Sequence, residues 1–98
     1  AVNVDKIIDC AVRTGTIIEL NCNPRRLDMD WRHWHRARDK GLMTSINPDA
    51  HATEQLQYLA YGIRLARKGW LRREDVLNCK TLDEVKSWLK LPKDQRQL

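Results

Sequence analysis

The chain has no phenylalanine, and among its 98 residues only three prolines, four glycines and three cysteines. So little Pro and Gly, with no low-complexity run, excludes a linker or a disordered tail. No apolar stretch approaches the roughly 20 residues of a membrane span. The N-terminus lacks the basic-then-apolar pattern of a secretory signal. Cys10, Cys22 and Cys79 form no CxxC and cannot all pair, so they read as reduced thiols rather than a disulfide or zinc framework. The four glycines are isolated, which leaves no Walker loop and no dinucleotide fingerprint. These absences set the first expectation, a soluble cytoplasmic protein with no membrane partner.

What is present suits a folded domain: 42% hydrophobic and 32% charged residues. Ninety-eight residues allow one domain at most, burying about two-thirds of the unfolded surface. The formal charge of +5 permits contact with polyanions, yet is common on proteins that never meet nucleic acid.

Elements alternate along the chain. Val4 to Arg13 has helical apolar spacing, with Asn3 as N-cap and Gly15 as terminator. Thr16 to Cys22 is β-branched and apolar, a strand ended by Asn23-Pro24. Asp28 or Asp30 caps a helix over "WRHWHRARDK", closed by Gly41, whose buried side carries Trp31 and Trp34. Leu42 to Ile46 is a second strand. Thr53 is expected to cap a third helix with the stripe Leu56, Leu59, Ala60, Ile63 and Ala66, ended by Gly69. Gly62 inside it costs about 1 kcal/mol against Ala and suggests close packing. "RREDVLN" is a short helical piece. Thr81 and Glu84 form a capping box opening a last helix with Leu82, Val85, Trp88 and Leu89. Residues 92–98 look like a frayed tail.

The order α-β-α-β-α-α-α places two strands around a helical crossover, a parallel βαβ unit. Parallel sheets are covered on both faces and rarely stop at two strands. A full βα barrel needs about 250 residues. The chain therefore reads as the C-terminal βα units of a larger α/β domain, an incomplete barrel. The remainder would come from sequence upstream or from a partner chain, since a lone copy leaves strand edges unpaired.

Function in such sheets gathers at the C-terminal ends of the strands. "ELNCNPRR" and "NPDAHAT" lie there. In extended backbone Asp49 and His51, two apart, point to one side and suit a divalent cation. The competing reading is a polar turn in which Asp49 caps the following helix. Two ligands are too few for a catalytic metal, so others must come from elsewhere. His33 and His35, two apart on a helix, diverge by about 200° and cannot close on one ion. Glu19, mid-strand, needs a partner, either Arg25 or Arg26 in an ion pair or a metal-bound water. Asn21 either orients a ligand or satisfies the loop backbone. Arg25 and Arg26 either clamp a phosphate or form a solvated rim. Arg64, Arg67 and Lys68, in the basic run around Trp70, either track a nucleic-acid backbone or form the wet face of a helix.

Together "GTIIELNCNPRRLDMDW", "INPDAHATEQLQYLAYGIRLARKGWLRREDVLN" and "TLDEVKSWLK" resemble the end of a PHP (polymerase and histidinol phosphatase) domain. The closest likeness is to the PHP domain of bacterial family X DNA polymerases, over nearly the whole chain. "GWLRREDVLN" is the more specific part. The resemblance implies a distorted βα barrel with divalent metals, zinc or manganese, held at its mouth by His, Asp and Glu. It implies phosphoester hydrolysis, of 3′–5′ exonuclease or phosphatase type, in DNA repair. The family's last Asp-x-His motif falls on Asp49 and His51, while Glu19 and Asn21 line the site without being established ligands. Arg25, by its position after the first strand, is a candidate to hold substrate phosphate. The other ligand segments lie upstream and are absent here, so the isolated chain is expected to be inactive. Arg72 stands where a small capping Thr is usual, which predicts a weak short helix. A second reading is a non-catalytic module that contacts DNA through Arg67, Lys68, Arg72 and Arg73, or only completes a fold.

Overall fold

Asn3 accepts from the Lys6 N–H at 3.1 Å and Gly15 turns left-handed at φ 64°, so α1 runs Val4–Thr14 between the two signals that bound it. The structure is a computed structural model that describes residues 2–96. After α1 come β1 (Ile18–Asn21), α2 (Trp31–Asp39) and β2 (Thr44–Asn47). A 3₁₀ turn (Thr53–Tyr58) leads into α3 (Leu59–Lys68). Two further 3₁₀ turns (Arg73–Asp75 and Leu77–Cys79) precede α4 (Leu82–Lys90).

β1 and β2 pair in parallel, with Glu19 opposite Ser45, Leu20 opposite Ile46 and Asn21 opposite Asn47. Both strands are shorter than the apolar runs suggest, because the pairing begins only where Ile18 N–H reaches the Met43 carbonyl. Side chains alternate across the strands. Leu20, Cys22 and Ile46 are buried on the side where α3 lies. Glu19, Asn21, Ser45 and Asn47 fall on the other. Trp34 at the centre of α2 is fully buried with Ile8, Ala37 and Leu42, while Trp31 is half-buried.

The third helix departs from expectation. Thr53 does not cap it; it is the first residue of the 3₁₀ turn, whose cap position, Ala52, makes no side-chain bond. Of the stripe, Ala66 enters this core and the rest does not. Leu56, Leu59 and Ile63 are exposed, at 57%, 39% and 42%, and the buried residues are Gly62 and Ala66. Helical periodicity identifies an apolar face but not what covers it. Close packing at Gly62 is seen directly: a Cβ there would collide with Cys22 Sγ and lie 3.1 Å from Ile46 Cγ2.

The segment after α3 is firmer than Arg72 suggests. Asp75 accepts from the Arg72 N–H at 2.8 Å and from its guanidinium at 3.1 Å, supplying the cap from the far end of the turn. The Thr81–Glu84 capping box forms in both directions, at 2.9 and 3.2 Å. The described part of the expected frayed tail holds a 3₁₀ turn, Lys93–Gln95, packed at Gly15 of α1. Arg96 donates to the Leu91 carbonyl and lies over Trp88 at 4.9 Å. Residues 97 and 98 lie outside the described residues.

Candidate metal centre at the strand ends

Because Asn21 and Asn47 are register partners, the two strands end together and both following segments leave from one edge. Pro48 cannot donate a ladder bond, so pairing stops there. Asp49 adopts φ 53°, left-handed backbone that Asp tolerates better than most residues. The extended-chain argument for Asp49 and His51 therefore does not hold; a curled turn brings the His51 ring onto the Asp49 backbone carbonyl. His51 Nδ1 lies 2.9 Å from the Asp49 carbonyl. A carbonyl only accepts, so Nδ1 carries a proton, and in the neutral imidazole that leaves the lone pair on Nε2. Gln55 Oε1 accepts from the His51 N–H at 2.8 Å, so the turn is tied to the 3₁₀ helix that follows.

Asp49 does not cap that helix. Among the described residues its carboxylate has no hydrogen-bond partner. A carboxylate and an imidazole two residues apart at the mouth of a parallel pair are donor types that a borderline divalent cation accepts. Among the described residues no group of three or more His, Cys, Asp or Glu is close enough to hold one ion. The two donors fit a metal as contributors, not as a complete site.

Glu19 is corrected in its partners. It is exposed and pairs with neither Arg25 nor Arg26: its carboxylate accepts from Asn47 Nδ2 at 2.9 Å and from Asn21 Nδ2 at 3.4 Å. Arg26 is engaged by Asp28 at 2.7 Å. Asn21 is buried and its Oδ1 accepts from the Asn23 N–H at 2.9 Å, so it satisfies the loop backbone. Arg25 is exposed and has no acidic partner among the described residues; with Asn23, Gln55 and Tyr58 it lines a pocket of about 230 Å³ beside the turn. An unpaired guanidinium there is placed to meet an anion.

The basic residues are less uniform. Arg67 and Arg73 are exposed. Lys68 sits 4.6 Å over the Trp31 ring, and Arg72 is held by Asp75 and, at 3.6 Å, by Glu74. His33 contacts Arg36, and His35 packs edge-on against Trp70 at 4.6 Å. The two histidines face different partners. Cys22 is buried and burial pushes its thiol up, away from reactivity; Cys10 and Cys79 are free and exposed.

Gln55, Asn47, Ser45 and Asn78 escape a motif-based reading, although each holds the mouth in place. One signal for Asn47 is legible: "ELN" and "SIN" are the same polar–apolar–Asn ending, and the register pairs them residue by residue.

The chain is 40% identical over 89 residues, 91% of its length, to the DNA polymerase/3′-5′ exonuclease PolX of Bacillus subtilis (strain 168). The chain is related to PolX. It spans only 16% of that protein's length, so the relation covers one part of it. No protein-family model matches. No helix among the described residues is long and apolar enough to cross a membrane.

Proposed function

We propose that the chain is the C-terminal portion of a PHP-type, metal-dependent phosphoesterase domain that processes DNA ends in a PolX-like repair protein. The observation that carries this is the Asp49–His51 turn at the strand ends: a carboxylate with no hydrogen-bond partner among the described residues, and an imidazole whose Nδ1 is fixed by the Asp49 carbonyl. The relation to an exonuclease-bearing polymerase supports the choice of DNA as substrate class. Asp49 and His51 would hold a zinc or manganese ion, with the remaining ligands supplied from outside the described residues. Such an ion supplies Lewis acidity and a water of lowered pKa. Arg25 orients substrate phosphate from the pocket rim, and Glu19 and Asn21 line the approach without binding metal. DNA is the partner of the intact protein.

The test is metal content and 3′–5′ exonuclease activity of the intact protein with Asp49→Ala and His51→Ala. Each substitution is expected to lower metal affinity more than tenfold and to abolish hydrolysis, with the polymerase function as internal control. Unchanged metal content in both variants would overturn the assignment.

A further inference from the structure

The outer edge of β2 is closed by a side chain. Thr44 and Ile46 turn their backbone groups away from β1, where a further strand would pair. Val76 meets Thr44 in a parallel bridge. Two residues on, Asn78 replaces the strand: its Oδ1 accepts from the Ile46 N–H at 2.8 Å, and its Nδ2 donates to the Ile46 carbonyl at 3.0 Å. Only a primary amide offers a donor and an acceptor side by side in this way, matching a peptide edge. Aspartate keeps the acceptor and loses the donor.

The same Nδ2 lies 3.4 Å from Asn47 Oδ1, while Asn47 Nδ2 donates to Glu19 at 2.9 Å and to Ser45 Oγ at 3.1 Å. Asn47 is thus fastened from both sides. It is the last held residue before Pro48, which has no N–H, and Asp49, whose backbone is left-handed. Asn78 is itself anchored, because the buried Asp75 ties down the start of its segment through three bonds from Arg72.

We propose that Asn78 is a positioning residue that, through Ile46 and Asn47, sets the Asp49–His51 turn for metal binding. The proposal rests on the metal reading of that turn. It also accounts for the "GWLRREDVLN" segment, whose last residue reaches back to the strand that ends in the Asp-x-His.

The test titrates Mn²⁺ into the intact protein and into its Asn78→Ala, Asn78→Asp, Asp49→Ala and Ile8→Val variants, well below the melting temperature of each metal-free form. Both Asn78 variants are expected to lose about ten- to a hundredfold in Mn²⁺ affinity, and to alter the visible spectrum of bound Co²⁺. Ile8→Val, which loosens the core on α1 where that helix packs on α2, is expected to keep its affinity. Unchanged affinity in the Asn78 variants, with Asp49→Ala losing it, overturns the proposal and leaves the metal site standing. Unchanged affinity in Asp49→Ala overturns both. Equal losses in Ile8→Val and the Asn78 variants reduce Asn78 to a stability role and overturn the positioning one. If Asn78→Ala fails to fold, Asn78→Asp carries the test alone.

Discussion

At Gly62 a single hydrogen stands where a methyl would strike Cys22 Sγ, and at Gly69 a Cβ would lie 2.7 Å from that of Trp34. The first sets how closely α3 approaches the strands, the second how closely it approaches α2. Gly69 itself keeps φ −84°, and the left-handed residue that follows α3 is Trp70, at φ 64°. A bulky residue pays about 1–2 kcal/mol there. The turn holds because Leu71 N–H donates to the Ala66 carbonyl at 2.9 Å and Arg38 donates to that of Trp70 at 2.7 Å. Gly62→Ala is expected to destabilise by about 1–3 kcal/mol through overpacking. The double variant with Cys22→Ala should recover much of it. Chemical denaturation of all three variants checks this; additive losses would show that the two residues do not oppose one another.

At the scale of elements, the ends of helices are governed by local bonds and titrate accordingly. The Thr81 backbone N–H holds the Glu84 carboxyl below its ordinary value of 4.5, and the Arg32 N–H does the same for Asp30. A carboxyl depressed in the folded state stabilises fully above its ordinary pKa, and that contribution is lost as pH falls through the lower folded value. Glu84→Gln keeps the reciprocal cap and removes the charge. Its melting temperature is expected to fall less steeply than that of the unaltered chain as pH drops below about 4.5. Thermal melts at a series of acidic pH values measure the difference; identical slopes would remove Glu84 from the account. The caps at Asn3, Asp30 and Thr81 and the Gly15 stop are legible in the sequence because each is decided within four residues. Thr53 is not, because the His51–Gln55 bond replaces a hydroxyl cap and leaves a 3₁₀ turn at the start of α3.

At the scale of the molecule, apolar periodicity and burial part company. The accessible surface is 6733 Å², against about 5,800 Å² for a compact monomer of this mass. The molecule is a slab, 37 × 36 × 21 Å. Leu56, Leu59 and Ile63 lie on its surface, and so do Leu82 and Leu89 of α4. Among the described residues, the outer edge of β1 is met at Asn21 by the Asp28 carbonyl. Trp34→Ala is expected to destabilise the chain by about 3–5 kcal/mol. Ile63→Lys, on the apolar stripe but outside the core, should change stability by less than about 0.5 kcal/mol and raise solubility. Denaturant titration of the 98-residue chain separates them, and a large loss in Ile63→Lys would place that stripe in the core after all.

The sequence by itself determined the βαβ order, the caps at Asn3, Asp30 and Thr81, the Gly15 stop and the Asp-x-His at a strand mouth, since these follow from spacings of two to four residues. It also carried the likeness that led to a relation with PolX. Only the tertiary structure decided what those residues meet. Glu19 lies among carboxamides because the register sets Asn47 diagonally across from it, and no property of Glu19 or Arg25 alone forbids the ion pair. Asn78 reaches Ile46 across 32 residues of chain, a contact created by folding and invisible to any local pattern. Whether an apolar stripe is core depends on which surface is brought against it, and that is a property of the packed molecule.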